Sequence, residues 1–151
     1  MEEKINLGFV VGEFNADITH LMLERAKAHA KFLEVGVPYV VKVPGAFDTP
    51  IAINQLLEKP DVDGVVVIGA VVEGDTHHDE VVAQHAARKM MDLSLQYGKP
   101  VSLGISGPGM TRAQGQSRID EYARRSVEAA VKLVKRMKEL RESRKTPVTI
   151  G

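Results

Sequence analysis

Apolar and polar positions switch between two periods along this chain, and the switching predicts four strand–helix units. Residues 5–11 form a short apolar run of strand length. Over residues 17–34, Ile18, Leu21, Met22, Ala26, His29 and Leu33 fall on one helical face, with Gly36 placed to cap the helix. The β-branched run 37–43 reads as a second strand. After a Pro44-Gly45 turn, Thr49-Pro50 reads as the start of a short helix, with threonine as N-cap and proline in the first turn. Positions 64–72 are apolar on both faces, as in the central strand of a parallel sheet. A helix over 79–97 aligns Val82, Ala86, Met90, Leu93 and Tyr97. Residues 100–105 form a fourth strand, which Ser106-Gly107-Pro108-Gly109 is expected to end. Thr111 and Gln114 have capping-box spacing. The last helix, running to about residue 140, turns Ile119, Ala123, Val127, Val131, Val134 and Met137 inward.

Alternating strands and helices imply right-handed crossovers onto a parallel sheet covered on both faces. The expected fold is α/β, a flavodoxin-like three-layer sandwich with four parallel strands in the order 2-1-3-4. One domain covers residues 1–141, and 142–151 lack periodicity and read as a flexible tail.

Composition narrows the function classes. Twenty Lys+Arg balance 20 Asp+Glu over 151 residues, so no overall field favours nucleic acid. The absence of cysteine excludes disulfides, thiolate metal sites and thiol catalysis, and it fits a cytoplasmic, reducing setting. The longest apolar run, 64–72, falls well short of the ~20 residues that span a bilayer. Met1-Glu2-Glu3-Lys4 does not read as the start of a signal peptide. Residues 124–145 carry nine Lys/Arg against three Glu. Two readings stand: the solvated face of a terminal helix, or a basic surface for a polyanion or a partner subunit.

Unusual residues gather where the strands end, the place where open parallel sheets bind ligands against helix N-termini. The four strand exits carry Gly12-Glu13-Phe14-Asn15, Pro44-Gly45-Ala46-Phe47-Asp48, Glu73-Gly74-Asp75-Thr76-His77-His78-Asp79 and Ser106-Gly107-Pro108-Gly109. An aromatic in a polar loop often serves only as an anchor. Two of the seven Phe and Tyr at one sheet edge favour a platform for a planar ligand. Gly74, Asp75 and Thr76 precede a helix, so their amides and the threonine hydroxyl suit an oxyanion. No Walker-type glycine–lysine pattern accompanies them, which speaks against a nucleoside triphosphate.

His78 alone would pass as a surface residue; in this loop it is a candidate proton carrier near neutral pH. His77, His78, Asp79 and Glu80, with His85, invite a metal reading. Seven residues on a helix separate His78 and His85 by about 10 Å, too far to share one ion. Arg118, in the last helix, is either a surface charge or a donor fork suited to phosphate.

These segments, with Gly69-Ala70-Val71-Val72 before the third loop and the run from Thr111 to Arg118, occur in the order and spacing of the 6,7-dimethyl-8-ribityllumazine synthase family. The stretch Gly104-Ile105-Ser106-Gly107-Pro108-Gly109-Met110-Thr111-Arg112 resembles its archaeal branch. The similarity covers roughly residues 5–140. It implies condensation of 5-amino-6-(ribitylamino)uracil with 3,4-dihydroxy-2-butanone 4-phosphate, the penultimate step of riboflavin synthesis. Phosphate and water leave, with no metal and no organic cofactor. By position, Phe14 would stack on the pyrimidine, and Asn15, Ala46, Phe47 and Asp48 would contact the ribityl chain. The Val71 and Val72 backbone would pair with the uracil edge. Gly74, Asp75, Thr76 and Arg118 would bind phosphate, and His78 would move protons.

The chain also departs from the commoner pattern of that family. Asp48 replaces glutamate, Glu73 replaces a frequent arginine, and Leu103 replaces a phenylalanine in the pocket wall. Tyr122 stands where a lysine is common, with Arg124 or Arg125 as substitutes. The resemblance further implies pentamers, in some members decamers or 60-subunit shells, whose sites are shared between subunits. Leu103 and Arg118 would enter from the neighbour. Two rivals are an archaeal-type riboflavin synthase, which handles no phosphorylated substrate, and an idle shell or scaffold protein, which would have shed His78, Arg118 or the paired aromatics. A phosphate sensor or flavin carrier would need loop patterns that are not evident.

Overall fold

The computed structural model describes residues 3–151; Met1 and Glu2, which begin the segment tested for a signal peptide, lie outside the described residues. Four strands, β1 (Asn6–Gly12), β2 (Gly36–Val43), β3 (Gly64–Val72) and β4 (Val101–Met110), form one parallel sheet in the order β2-β1-β3-β4. The expected strand order is therefore the observed one. Register is continuous across the middle, where Val41, Val10, Val67 and Leu103 lie side by side.

Strand alternation divides the core between two faces. Leu7, Phe9, Val11, Val66, Ile68 and Ala70 pack beneath α1 (Ala16–Phe32) and α5 (Ile119–Glu142). Val10, Val65, Val67 and Val71 pack beneath α2 (Thr49–Leu57) and α3 (His78–Tyr97). β1 and β3 are buried on both faces, which is why they read as unbroken apolar runs. Phe9, fully buried, contributes on the order of 2–3 kcal/mol by leaving water.

Several boundaries differ from expectation. β4 does not end at Ser106-Gly107-Pro108-Gly109; it bulges there and resumes. Ala70 pairs with Ser106 and Val72 with Met110, so four steps on β4 match two on β3. The Glu73 N–H closes the far side on the Met110 carbonyl at 2.8 Å. Gly107, at φ 104°, permits the bulge, because a Cβ there would fall on the Val71 carbonyl oxygen.

The final helix is two helices, α4 (Arg112–Ser117) and α5, separated at Arg118 (φ −104°, ψ 2°). Thr111 does cap α4 reciprocally with Gln114: the hydroxyl accepts the Gln114 N–H at 3.2 Å, and the Thr111 N–H donates to Gln114 Oε1 at 2.9 Å. Gly36 is not the cap of α1. Glu34 takes the left-handed turn at φ 60°, and Gly36 already belongs to β2. Asp48 rather than Thr49 occupies the N-cap of α2, and the Thr49 hydroxyl donates to the Ala46 carbonyl at 2.8 Å. Two residues expected to face inward, Leu21 and Met137, are exposed. Among the described residues no helix is long and apolar enough to cross a membrane.

Candidate functional site

The carboxyl ends of β1, β2 and β3 open into one cavity of about 400 Å³, a volume suited to a small organic ligand. Ten of the thirteen residues expected at a site line it: Phe14 and Asn15 after β1, Ala46, Phe47 and Asp48 after β2, and Val71, Val72, Gly74, Thr76 and His78 from β3 to the start of α3. Asp75, Leu103 and Arg118 do not line it. Gly12, Gly45, Ala70, Asp79 and Val82 complete the wall.

Phe14 and Phe47 stay 67% and 68% exposed, so their rings are free to cover a planar guest. Phe14 lies directly over Gly45, where a Cβ would come within 2.5 Å of the ring. The chain exit from β1 is pinned to that from β2: the Glu13 and Phe14 N–H groups both donate to the Pro44 carbonyl, at 3.1 and 2.8 Å. Asp48 folds back within its own loop and accepts the Gly45 N–H on Oδ2 at 3.0 Å, leaving its other oxygen for a ligand.

Asn15 sits at the start of α1 in a left-handed conformation, φ 62°. Its Nδ2 donates to the Ala70 carbonyl at 2.8 Å, which ties the first loop to β3. Its Oδ1 accepts from Arg112 Nη2 at 2.8 Å, and Arg112 Nη1 donates to both oxygens of Asp17, at 2.6 and 2.8 Å. The Arg112 fork holds the Asp17 carboxyl below the usual carboxylate range, through its hydrogen bond first and its charge second. Nothing in the local sequence announces this triangle, because 95 residues separate Arg112 from Asp17.

The third loop ends at His77, left-handed at φ 55°, and His78 opens the 20-residue α3 beside Thr76. The start of α3 favours an anion, although in its first turn the Glu80 N–H already donates to the His77 carbonyl at 3.1 Å. Asp79, 5% exposed, turns into the wall, and its Oδ2 accepts the Gly109 N–H at 2.9 Å. The charges of the lining run against phosphate. Asp48 and Asp79 are both present, and no lysine or arginine is among the described residues that line the cavity.

The residues outside the cavity lie on the β4 side. Leu103 is 58% exposed. Arg118, half-buried between α4 and α5, has no side-chain hydrogen bond or ion pair among the described residues. Tyr122 packs against the core under α1 and α5. Arg124 and Arg125 pair one turn back with Asp120 and Glu121, each at 2.9 Å.

Fold and cavity define an α/β protein of the class that takes small molecules at the carboxyl ends of parallel strands. Sequence comparison makes the class specific. The profile of 6,7-dimethyl-8-ribityllumazine synthase matches residues 4–138. The 6,7-dimethyl-8-ribityllumazine synthase of Archaeoglobus fulgidus is 64% identical over 137 residues, covering 91% of this chain and 95% of its own. Those of Methanocaldococcus jannaschii and Sulfolobus acidocaldarius are 62% and 59% identical, covering 91% and 93% of this chain and 97% and 89% of theirs. The chain belongs to the 6,7-dimethyl-8-ribityllumazine synthase family.

Proposed function

We propose that this protein condenses 5-amino-6-(ribitylamino)uracil with 3,4-dihydroxy-2-butanone 4-phosphate to 6,7-dimethyl-8-ribityllumazine, releasing phosphate and water. One observation carries the reading: Phe14, Phe47, Thr76 and His78, brought from three separate strand ends, line a single cavity. Phe14 takes the pyrimidine face. Asn15, Ala46, Phe47 and Asp48 take the ribityl chain, and the Val71 and Val72 backbone takes the uracil edge. Gly74 and Thr76, with the α3 amides, take the phosphate, and Asp75, which does not line the cavity, shapes the loop between them.

The chemistry follows from that seating. The substrate amine attacks the ketone carbon, and loss of water gives an imine. Phosphate then leaves as a proton is taken from the neighbouring carbon, the resulting enol becomes a ketone, and the second amine adds to that carbonyl and expels a second water as the ring closes. Each step moves protons, and the His78 imidazole lines the cavity in which they are given and taken. Holding two substrates in one cleft supplies much of the rate by orientation alone.

The lining supports sites shared between subunits. A phosphate dianion beside Asp48 and Asp79 needs a cation, and none comes from the cavity's own wall. Arg118 of a neighbouring copy fills that need, and Leu103 of the same copy adds apolar wall, in a cyclic, pentameric assembly. The catalytic unit is residues 1–141, with 142–151 outside it, working in the cytoplasm.

Incubating purified protein with both substrates and no added metal tests the activity. The lumazine chromophore should appear with one phosphate released per product. Absence of the chromophore rejects the reading. His78→Ala should slow turnover roughly 10- to 10⁴-fold, the range for losing a proton carrier.

A further inference from the structure

Asn15 lies in the cavity, and its side-chain amide is fully oriented before any ligand arrives. The Ala70 carbonyl only accepts, so the group facing it at 2.8 Å is Nδ2. The Arg112 guanidinium only donates, so the group facing it at 2.8 Å is Oδ1. The two partners leave one way round for the amide. Arg112 is itself held: Nη1 reaches both oxygens of Asp17 at 2.6 and 2.8 Å, and Gln116 Nε2 adds a longer contact to Asp17 at 3.4 Å. Asn15 is also held at φ 62°, a conformation that needs support from its surroundings. Arg112 does not line the cavity.

From this the geometry points to Arg112 as a positioning residue for the uracil substrate, acting through Asn15, with Asp17 as its anchor. The inference rests on the proposed lumazine synthase activity. Both nitrogens of the fork are required, one on Asp17 and one on Asn15. A lysine at position 112 offers a single centre and does not span the two. With the fork gone, Oδ1 of Asn15 loses its partner and the amide is free to rotate away from the Ala70 carbonyl. The site loses the side of the cleft that meets the ribityl chain, while the phosphate loop, on a different strand end, is untouched.

The test is a double-mutant cycle on the assembled enzyme with Arg112→Met, Arg112→Lys and Asn15→Ala. Arg112→Met and Arg112→Lys should each raise KM for the ribitylaminouracil roughly tenfold, with KM for the butanone phosphate changed less than about twofold. In the Asn15→Ala background Arg112→Met should add nothing, because the group it orients is already missing. Additive effects, equal shifts in both KM values, or full rescue by Arg112→Lys would overturn the assignment. A crystal structure of Arg112→Met separates this question from the activity. Asn15 should have left the Ala70 carbonyl; an unmoved Asn15 rejects the positioning role even in an active enzyme. A wild-type protein that makes no lumazine rejects the activity instead.

Discussion

Asp79 and Gly109 join the loop after β3 to the bulge of β4: a buried carboxylate oxygen at the start of α3 accepts the backbone N–H of a glycine 30 residues away, at 2.9 Å. Gly109 stands at φ 68°, within the bulge that the Gly107 conformation makes feasible. The carboxylate therefore fixes a backbone path that the local sequence does not fix alone. A hydrogen bond to a charged group contributes about 1.5–3 kcal/mol. For a domain of this length, Asp79→Ala should then lower Tm by roughly 3–10 °C. Asp79→Asn keeps an acceptor and should lose less. Thermal scans at one protein concentration check this, and an Asp79→Ala protein as stable as the wild type would contradict it.

Gly45→Ala separates the site from the fold. Gly45 has extended backbone, φ −151° and ψ −179°, which alanine adopts without strain. The new methyl would meet the Phe14 ring within 2.5 Å. That ring is mostly exposed and yields by rotating, so stability should change by no more than about 0.5 kcal/mol. Binding of the lumazine product, followed by its fluorescence, should weaken about tenfold as the stacking surface moves. Unchanged affinity would remove Phe14 from the ring-binding role.

Local signals carried most of the architecture. The apolar runs in β1 and β3, the stripe through Ala123 and Val127 and the Thr111–Gln114 capping box each depend on residues within a few positions of one another, and each is where the period places it. The misread features depend on distant partners. Gly107-Pro108-Gly109 has the composition of a strand end, and β4 resumes only because Val72 and Glu73 wait across the gap. The helix break at Arg118 has no proline to announce it, and Gly115, three residues earlier, lies inside α4 rather than at the break. Leu21 and Met137 sit on apolar stripes that run past the edge of the core. At the site, loop composition marked eight of the ten expected residues that line the cavity, and Val71 and Val72 came only from the family resemblance. Arg112 and Asp79 were out of reach, since their partners lie 97 and 30 residues away and the bonds are made by side chains with no spacing rule.

The Asp17–Arg112 pair predicts a pH dependence. The folded carboxyl titrates below its ordinary value of 3.8, so the pair contributes stability above that value and loses it as pH falls through the lower folded pKa. Asp17→Asn should therefore unfold at a lower denaturant concentration than wild type at pH 7. The gap should start to shrink as the pH drops below about 3.8, where the unfolded carboxyl takes up a proton, and close only below the lower folded pKa. The pair is half-exposed, so high salt should narrow the gap at neutral pH as well. A gap that does not shrink at all as the pH falls below 3.8 would point to lost packing rather than lost charge.

The proposed sharing of sites between subunits makes a quantitative demand. His78 lines the cavity of its own chain and Arg118 does not. In a ring of head-to-tail contacts each cavity then takes His78 from one subunit and Arg118 from the next. His78→Ala and Arg118→Ala proteins are each deficient at every cavity. If the two are unfolded and reassembled together in equal amounts, a cavity is intact when an Arg118→Ala chain supplies the histidine and a His78→Ala chain supplies the arginine. Random order gives that arrangement at roughly one cavity in four, so the mixture should recover about a quarter of wild-type turnover. Mixing without reassembly should recover none, which controls for trace wild-type protein. A reassembled mixture no faster than the average of its parents would remove the neighbour's Arg118 from the site, and the cation missing from the cavity wall would have to come from elsewhere.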